Sequence, residues 1–443
     1  MTDGYEYARL DAVALRTLIS RGEVSKQEVA ETARAAIASV DDDLGALAAP
    51  LFDEALDHSV DGRFAGVPFL IKDSAPFARG VAFRLGSRAV RGIAVEDHPM
   101  MARFRELGFA TLGISTAPEF SLSFATESRL TGVTRNPWAL DRGVGGSSGG
   151  AAALVAAGAV PIAHATDGAG SIRVPASVCG LVGLKPTRGR TPGAESTAEF
   201  VLTRSVRDAA TVLAYFGVEP SVAPSLRVGI ATASWSHGTV DGQVVAATEA
   251  VGRMLEWAGH AVSVASPRVD HPTVVEAAMR SVYAAGDAVL AAPRRPDPAL
   301  LEAVSRRVLD ETASATPDDR AAADAAAHAL TREIDDYFER FDLLVTPTIA
   351  EVPARHGRLD YDDARHTVRS WFDAMFEFGP FTAPFNVSGH PAISLPLGES
   401  REGLPIGVQL VAARDRDDLL LGLAAELEIA LPWRDREPSI FVG

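Results

Sequence analysis

Between residues 99 and 166 the sequence alternates between helical and strand-like periodicity, and an all-α or all-β architecture does not accommodate that alternation. A helical stretch around MMARFRELG leads to a strand-like ATLGI, a Gly-rich turn, an Ala-rich helix AAALVAAGA and a second strand-like run, PIAHAT. Helices interleaved with short apolar strands bury themselves on the faces of a sheet, so an α/β fold is predicted. Residues 11–40 predict two opening helices, the second beginning at the cap candidate Ser25. GVPFLIKDSA, residues 66–75, predicts a buried strand that ends on Lys72, an unexpected place for a charge. From 225 the text opens with LRVGIAT and continues as Ala-rich, charge-flecked helix, with APRRPDP at 292–298 as a loop inside it. Strand-like runs return at DLLVTPT, AISLPL and GVQLVA before a last helix, DLLLGLAAELEIA, so both ends of the chain are expected to share one core.

Composition narrows the function. A chain of 443 residues, 47% hydrophobic, can bury a sizeable core. Its formal charge of −16 is spread without a run of Lys or Arg, which disfavours nucleic acid as a partner. The opening MTDGYEYARLDAVALRTL is acidic and lacks the basic region and apolar core of a signal peptide. No apolar stretch reaches the roughly 18 residues of a spanning helix, and the single cysteine, Cys179, has no internal disulfide partner. A soluble, cytoplasmic protein away from membranes is therefore expected. The ten histidines show no ligand spacing, so neither metal nor cofactor is expected. A homodimer rests on base rates alone, because no heptad pattern is present.

Two Gly/Ser clusters carry the chemistry. GVGGSSGG, residues 143–150, brings peptide N–H groups and the hydroxyls of Ser147 and Ser148 to the start of an Ala-rich helix. A capped helix is the plain reading, with Ser147 or Ser148 as N-cap; a phosphate cradle lacks the lysine that closes a P-loop. TDGAGSIRVPA, residues 166–176, runs from a strand into glycines and reaches Ser171, where successive peptide N–H groups can converge on one oxygen. A serine nucleophile needs a proton acceptor, and no G-x-S-x-G elbow is present. His164 is either a satisfied strand histidine or a base; Lys72 is either a structural lysine paired with a carboxylate such as Asp73 or a base made neutral by burial.

These residues resemble the amidase-signature hydrolases. GVPFLIKD matches the family's lysine motif at Lys72, PWALDRGVGGSSGGAAALVAAG its bridging serine, in a cis peptide, at Ser147, and TDGAGSIRVPASVCGLVGLKPTRGR its nucleophile at Ser171. SRGEVSKQEVAE, FDLLVTPT, FTAPFNVSGHPAISLPLG, GLPIGVQLVA and LPW are similar to the family's ends. The resemblance implies a single α/β/α domain around a large mixed β-sheet over 1–443, with 195–335 a variable, mostly helical covering section that helps shape the pocket. It also implies hydrolysis of a small-molecule carboxamide, without a cofactor, through an acyl-enzyme on Ser171 with a Ser147/Lys72 relay. Gly168, Ala169, Gly170 and Ser171 then supply oxyanion N–H groups, Ser121 lines the acyl side, and Ser148, Asp167 and Arg173 support the loops.

Two positions depart from the family. Ala169 stands where a glycine is usual, and Val144 where a proline is common. Within the family the motifs look most similar to bacterial nylon-oligomer (6-aminohexanoate cyclic dimer) hydrolases. The alternatives are a glutaminase-like subunit of a tRNA-dependent amidotransferase, an acyltransferase using the same acyl-enzyme, and a noncatalytic binding protein of the same fold. Selectivity is expected from 195–335 and a loop after Trp371.

Overall fold

A computed structural model describes residues 4–222 and 225–443. The two opening helices form where their caps dictate. Asp11 accepts the N–H of Ala14 to begin Ala12–Ser20, and Ser25 exchanges a capping box with Glu28 to begin Lys26–Leu44, which ends on Gly45 in the left-handed region. A short helix, Gly4–Ala8, precedes both.

The centre is an eight-stranded mixed sheet. Its order is Ala261–Val264, Arg227–Ile230, Leu343–Pro347, Pro405–Ala412, Ala392–Glu399, Val182–Lys185, Ala198–Thr203 and Ile162–Asp167. The first three run parallel to one another, and every later pairing is antiparallel. All residues of Pro405–Ala412 are buried although successive side chains point to opposite faces, so this sheet is covered on both sides, as the α/β expectation requires. Covering helices include Arg173–Cys179, packed on the strands at 392–399 and 405–412, and Asp417–Ala430.

Lys72 ends a separate ladder. Pro68–Lys72 pairs in parallel with Ala110–Ser115, and Lys72 stands opposite Ser115. The ladder packs against Ile162–Asp167, which brings the lysine to the edge of the large sheet. The stretch 195–335 contributes strands at 198–203, 227–230 and 261–264 as well as helices. Helix His271–Leu290 packs against both Ala303–Ser314 and Pro317–Phe338, and the first two of these helices line the cavities described below. Helix Val368–Phe378 contains Trp371 and continues beyond it, where the sequence suggested a loop.

Candidate active site

The Lys72 side chain is almost wholly buried. Its Nζ lies 2.6 Å from Ser147 Oγ and 2.7 Å from Thr166 Oγ1, with Lys72, Ser147 and Thr166 all buried. Burial pushes its pKa from 10.5 down to about 7, against the opposing pull of Glu199, Asp167 and Asp73. A substantial fraction of this amine is neutral at neutral pH and able to accept a proton.

Ser147 follows a cis Gly146–Ser147 peptide and immediately precedes the helix Gly149–Ala156. Neither Ser147 nor Ser148 makes a side-chain cap. Ser148 is the N-cap residue, but its hydroxyl turns to the neighbouring strand, accepting the Thr166 N–H at 3.2 Å and donating to the Thr166 carbonyl at 3.3 Å. That exchange fastens the Gly/Ser loop to the strand carrying Thr166. Val144, at the position where the family commonly has proline, is fully buried in the core.

Ser171 sits between the strand Ile162–Asp167 and the helix Arg173–Cys179. It lines a cavity of about 330 Å³ together with Ser147, Thr166, Gly168, Ala169 and Ser121. Among the described residues no hydrogen bond joins Ser147 to Ser171. Catalytic contacts of this kind commonly tighten only when substrate binds. The peptide N–H groups of Gly168, Ala169, Gly170 and Ser171 likewise donate to no partner among the described residues. Four adjacent unpaired donors beside a hydroxyl make a ready site for an anionic oxygen.

The loop carrying those donors is held by a closed ionic network. Arg173 Nε and Nη2 donate to the Asp167 carboxylate, each at 2.9 Å, and both residues are fully buried. Burial raises the Asp167 pKa, but the Arg173 guanidinium more than reverses this and holds it at about 2. Arg173 also donates to Gln409 Oε1 at 2.7 Å, Asn386 Oδ1 at 2.6 Å and the Thr382 carbonyl at 2.9 Å. Gly170 has φ +147°, and an added Cβ would collide with Thr382 Oγ1. Ala169 is not among the non-glycine residues with positive φ, so its backbone conformation is open to any side chain.

Ser121 reaches the site from an unusual loop. Phe120 and Ser121 both lie in the left-handed region, with φ 52° and 59°, and Ser121 Oγ is buried with no partner among the described residues. Trp371 Nε1 donates to the Leu122 carbonyl at 2.8 Å and anchors this loop. Ser121 lies where the first cavity meets a second lobe of about 250 Å³ that extends to His98, Glu199 and Leu309. Helix His271–Leu290 supplies much of the wall, through residues such as Ala278, Val282 and Ala285.

Of the residues anticipated from sequence, Ser121, Ser147, Gly168, Ala169 and Ser171 border the cavity, Lys72 reaches it through Ser147, and Ser148, Asp167 and Arg173 hold the neighbouring loops. Thr166, Glu199, Asn386 and Gln409 were not anticipated. The signal for Asn386 and Gln409 was present as polar amide side chains inside the largely apolar strings APFNVSG and GVQLVA. A cavity of about 370 Å³ elsewhere, bordered by Trp138, Arg204 and Trp433, holds none of these groups. Its Arg204 is occupied by the carbonyls of Ala8, Leu10, Val155 and Val160.

A family-wide sequence profile described as Amidase matches residues 24–421. The chain belongs to the amidase family. The 6-aminohexanoate-cyclic-dimer hydrolase of Paenarthrobacter ureafaciens is 36% identical over 484 residues, covering 97% of this chain and 96% of that protein. The putative amidase AmiC of Mycobacterium tuberculosis (strain ATCC 25618 / H37Rv) is 36% identical over 478 residues, covering 97% of each. A solved structure of 6-aminohexanoate cyclic dimer hydrolase complexed with substrate superimposes with a TM-score of 0.89 at 33% identity, covering 98% of this chain and 99% of that one. This amidase is accordingly a hydrolase of carbon–nitrogen bonds in non-peptide amides, acting on small-molecule substrates. Among the described residues no helix is long and apolar enough to cross a membrane.

Proposed function

We propose that the amidase cleaves its carboxamide through an acyl-enzyme on Ser171, with Ser147 relaying protons to Lys72. The observation that carries this reading is the buried 2.6 Å contact between Lys72 Nζ and Ser147 Oγ, beside the cavity that Ser171 lines. As Ser171 Oγ bonds to the amide carbon, its proton passes to Ser147 Oγ and the Ser147 proton passes to Lys72 Nζ. The carbonyl oxygen becomes an oxyanion facing the N–H groups of residues 168–171. Collapse of the intermediate breaks the C–N bond, and the proton held by Lys72 returns through Ser147 to the leaving amine. Water then attacks the acyl-enzyme by the same relay and frees the acid and Ser171.

The first lobe is bordered by Phe124, Ala278, Val282, Phe372 and Met375, and among the described residues no charged side chain lines it. The 6-aminohexanoate cyclic dimer, named for the relative's reaction, is therefore the first amide to assay, followed by simple aliphatic and aryl amides. Release of amine by the wild-type chain and its loss in Ser171→Ala supports the reading. Equal release by Ser171→Ala contradicts it, and release that requires an added protein moves the assignment to an amidotransferase subunit.

A further inference from the structure

The loop that brings Ser121 to the cavity is anchored by a side chain that borders neither lobe. Phe120 and Ser121 stand in the left-handed region, which non-glycine residues keep only where their surroundings fix it. Glu119, immediately before them, is 1% exposed and absent from both cavity walls. Its Oε1 accepts the Ser87 hydroxyl at 2.6 Å, and its Oε2 accepts the Glu302 peptide N–H at 2.8 Å. Glu302 is the residue from which the helix Ala303–Ser314 starts, and its own Oε1 accepts the Arg129 N–H at 2.7 Å. One buried carboxyl group thus ties the Ser121 loop to a turn 32 residues before it and to a helix start 183 residues after it.

Both ties lead to the wall of the second lobe. Ser87 closes a turn whose Leu85 lines that lobe, and the Leu85 carbonyl accepts the Phe120 N–H at 2.9 Å. The Asp73 carboxylate accepts the N–H groups of Arg84, Leu85 and Gly86, which fastens the same turn to the residue after Lys72. The helix that starts from Glu302 supplies Val308 and Leu309, and the loop itself supplies Phe120, Ser121 and Leu122. Leu85, Leu122, Val289, Val308 and Leu309 make much of this wall apolar, a surface that favours a hydrocarbon arm. Among the described residues, Glu119 is the only side chain of residues 118–122 that hydrogen-bonds to the turn or to the helix start.

We propose that Glu119 is a positioning residue that holds the Ser121 loop, the 84–87 turn and the helix Ala303–Ser314 at the spacing of the second lobe, and so sets the preference of the enzyme for amides with a long apolar arm. This rests on the reading of Ser171 as the nucleophile, from which such an arm extends past Ser121 into the lobe.

The test compares two fluorophosphonates that differ only in the alkyl arm on phosphorus, ethyl or decyl. In each, Ser171 Oγ bonds to phosphorus and fluoride leaves, and intact mass follows the rate. Both probes are applied to the full wild-type chain and to Glu119→Ala, Glu119→Gln, Ser87→Ala and Leu309→Trp, and the readout is the ratio of decyl to ethyl rates within each chain. Partial unfolding lowers both rates together and leaves this ratio unmoved. The wild type is expected to react faster with the decyl probe. Glu119→Ala lowers the ratio by about tenfold, within the loss that a misplacement of about 1 Å causes. Glu119→Gln, whose carbonyl can accept the Glu302 N–H while its amide donates to the Ser87 hydroxyl, keeps the ratio within about twofold. Ser87→Ala removes one tie and falls between them, and Leu309→Trp lowers the ratio by filling the lobe.

Equal rates for the two probes in the wild type overturn the proposal, as does an unchanged ratio in Glu119→Ala or in Leu309→Trp. A ratio in Glu119→Gln as low as that in Glu119→Ala also overturns it. If Glu119→Ala does not fold, Ser87→Ala decides, and an unchanged ratio overturns the proposal. Wild-type chain that takes neither probe overturns the reading of Ser171 itself, whereas labelling with an unmoved ratio overturns only the role of Glu119.

Discussion

Lys72 Nζ and Ser147 Oγ lie 2.6 Å apart, and both residues are buried. The ends of two unrelated segments produce this contact: the lysine closes a five-residue buried strand, and the serine opens a helix after a glycine-rich turn. An amine in this position is costly to charge and has a hydroxyl from which to take a proton. Chemistry and stability therefore depend on pH through the same group.

Lys72→Met is expected to lose about 10²–10⁴-fold in acylation rate while remaining folded. The folded pKa of about 7 lies below that of an unfolded lysine, so the unfolded chain binds the extra proton between them. Wild-type stability thus rises as pH increases from about 7 to about 10, and the methionine variant lacks this rise. Urea denaturation across that range should show the variant's stability falling relative to the wild type. A constant difference contradicts the prediction, as does an unfolded variant.

Asp167→Asn should be the most destabilising conservative change at the site. It leaves the buried Arg173 guanidinium without its counter-charge, a loss of about 3–5 kcal/mol. Because Asp167 is held at about 2, below its unfolded value, its contribution is complete above about pH 4 and is lost as pH falls towards 2. Acid unfolding followed by circular dichroism should therefore be steeper in the wild type than in the variant over that interval.

Gly170→Ala places a methyl group against Thr382 at a backbone conformation that L-residues rarely adopt. Displacing one oxyanion donor costs about 10²–10³-fold in kcat. The expected result is a kcat loss of that order with a smaller change in KM; an unchanged kcat would contradict the placement of the loop.

Ser121→Ala removes a buried hydroxyl that has no protein partner, so thermal stability should hold or rise. If the hydroxyl serves the substrate, kcat/KM falls by about fivefold, the worth of one hydrogen bond of roughly 1 kcal/mol. Lost stability with full activity would assign the residue a structural role instead.

Local composition drew attention to Lys72, Ser147 and Ser171, a lysine closing an apolar strand and serines set among glycines, but left plain structural readings open, and only the resemblance of the three motifs to one family gave them roles. The alternation between 99 and 166 likewise carried the α/β fold. Thr166 and Glu199 were not legible, since their importance arises from the pairing of two antiparallel strands at the sheet edge. The strand Ala261–Val264 was hidden for another reason: it is an edge strand with mostly exposed residues, which erases the apolar alternation that marks a strand. Ser148 read as a cap because the hydroxyl's real partner, the Thr166 backbone, comes from a neighbouring strand.

The most direct test of the account is to expose the purified chain to a fluorophosphonate probe and map the adduct by peptide mass spectrometry. The account predicts one adduct per chain on Ser171, absent in Ser171→Ala and formed far more slowly in Lys72→Met. A folded chain that takes no label, or takes it on another residue with Ser171 unmodified, would contradict it.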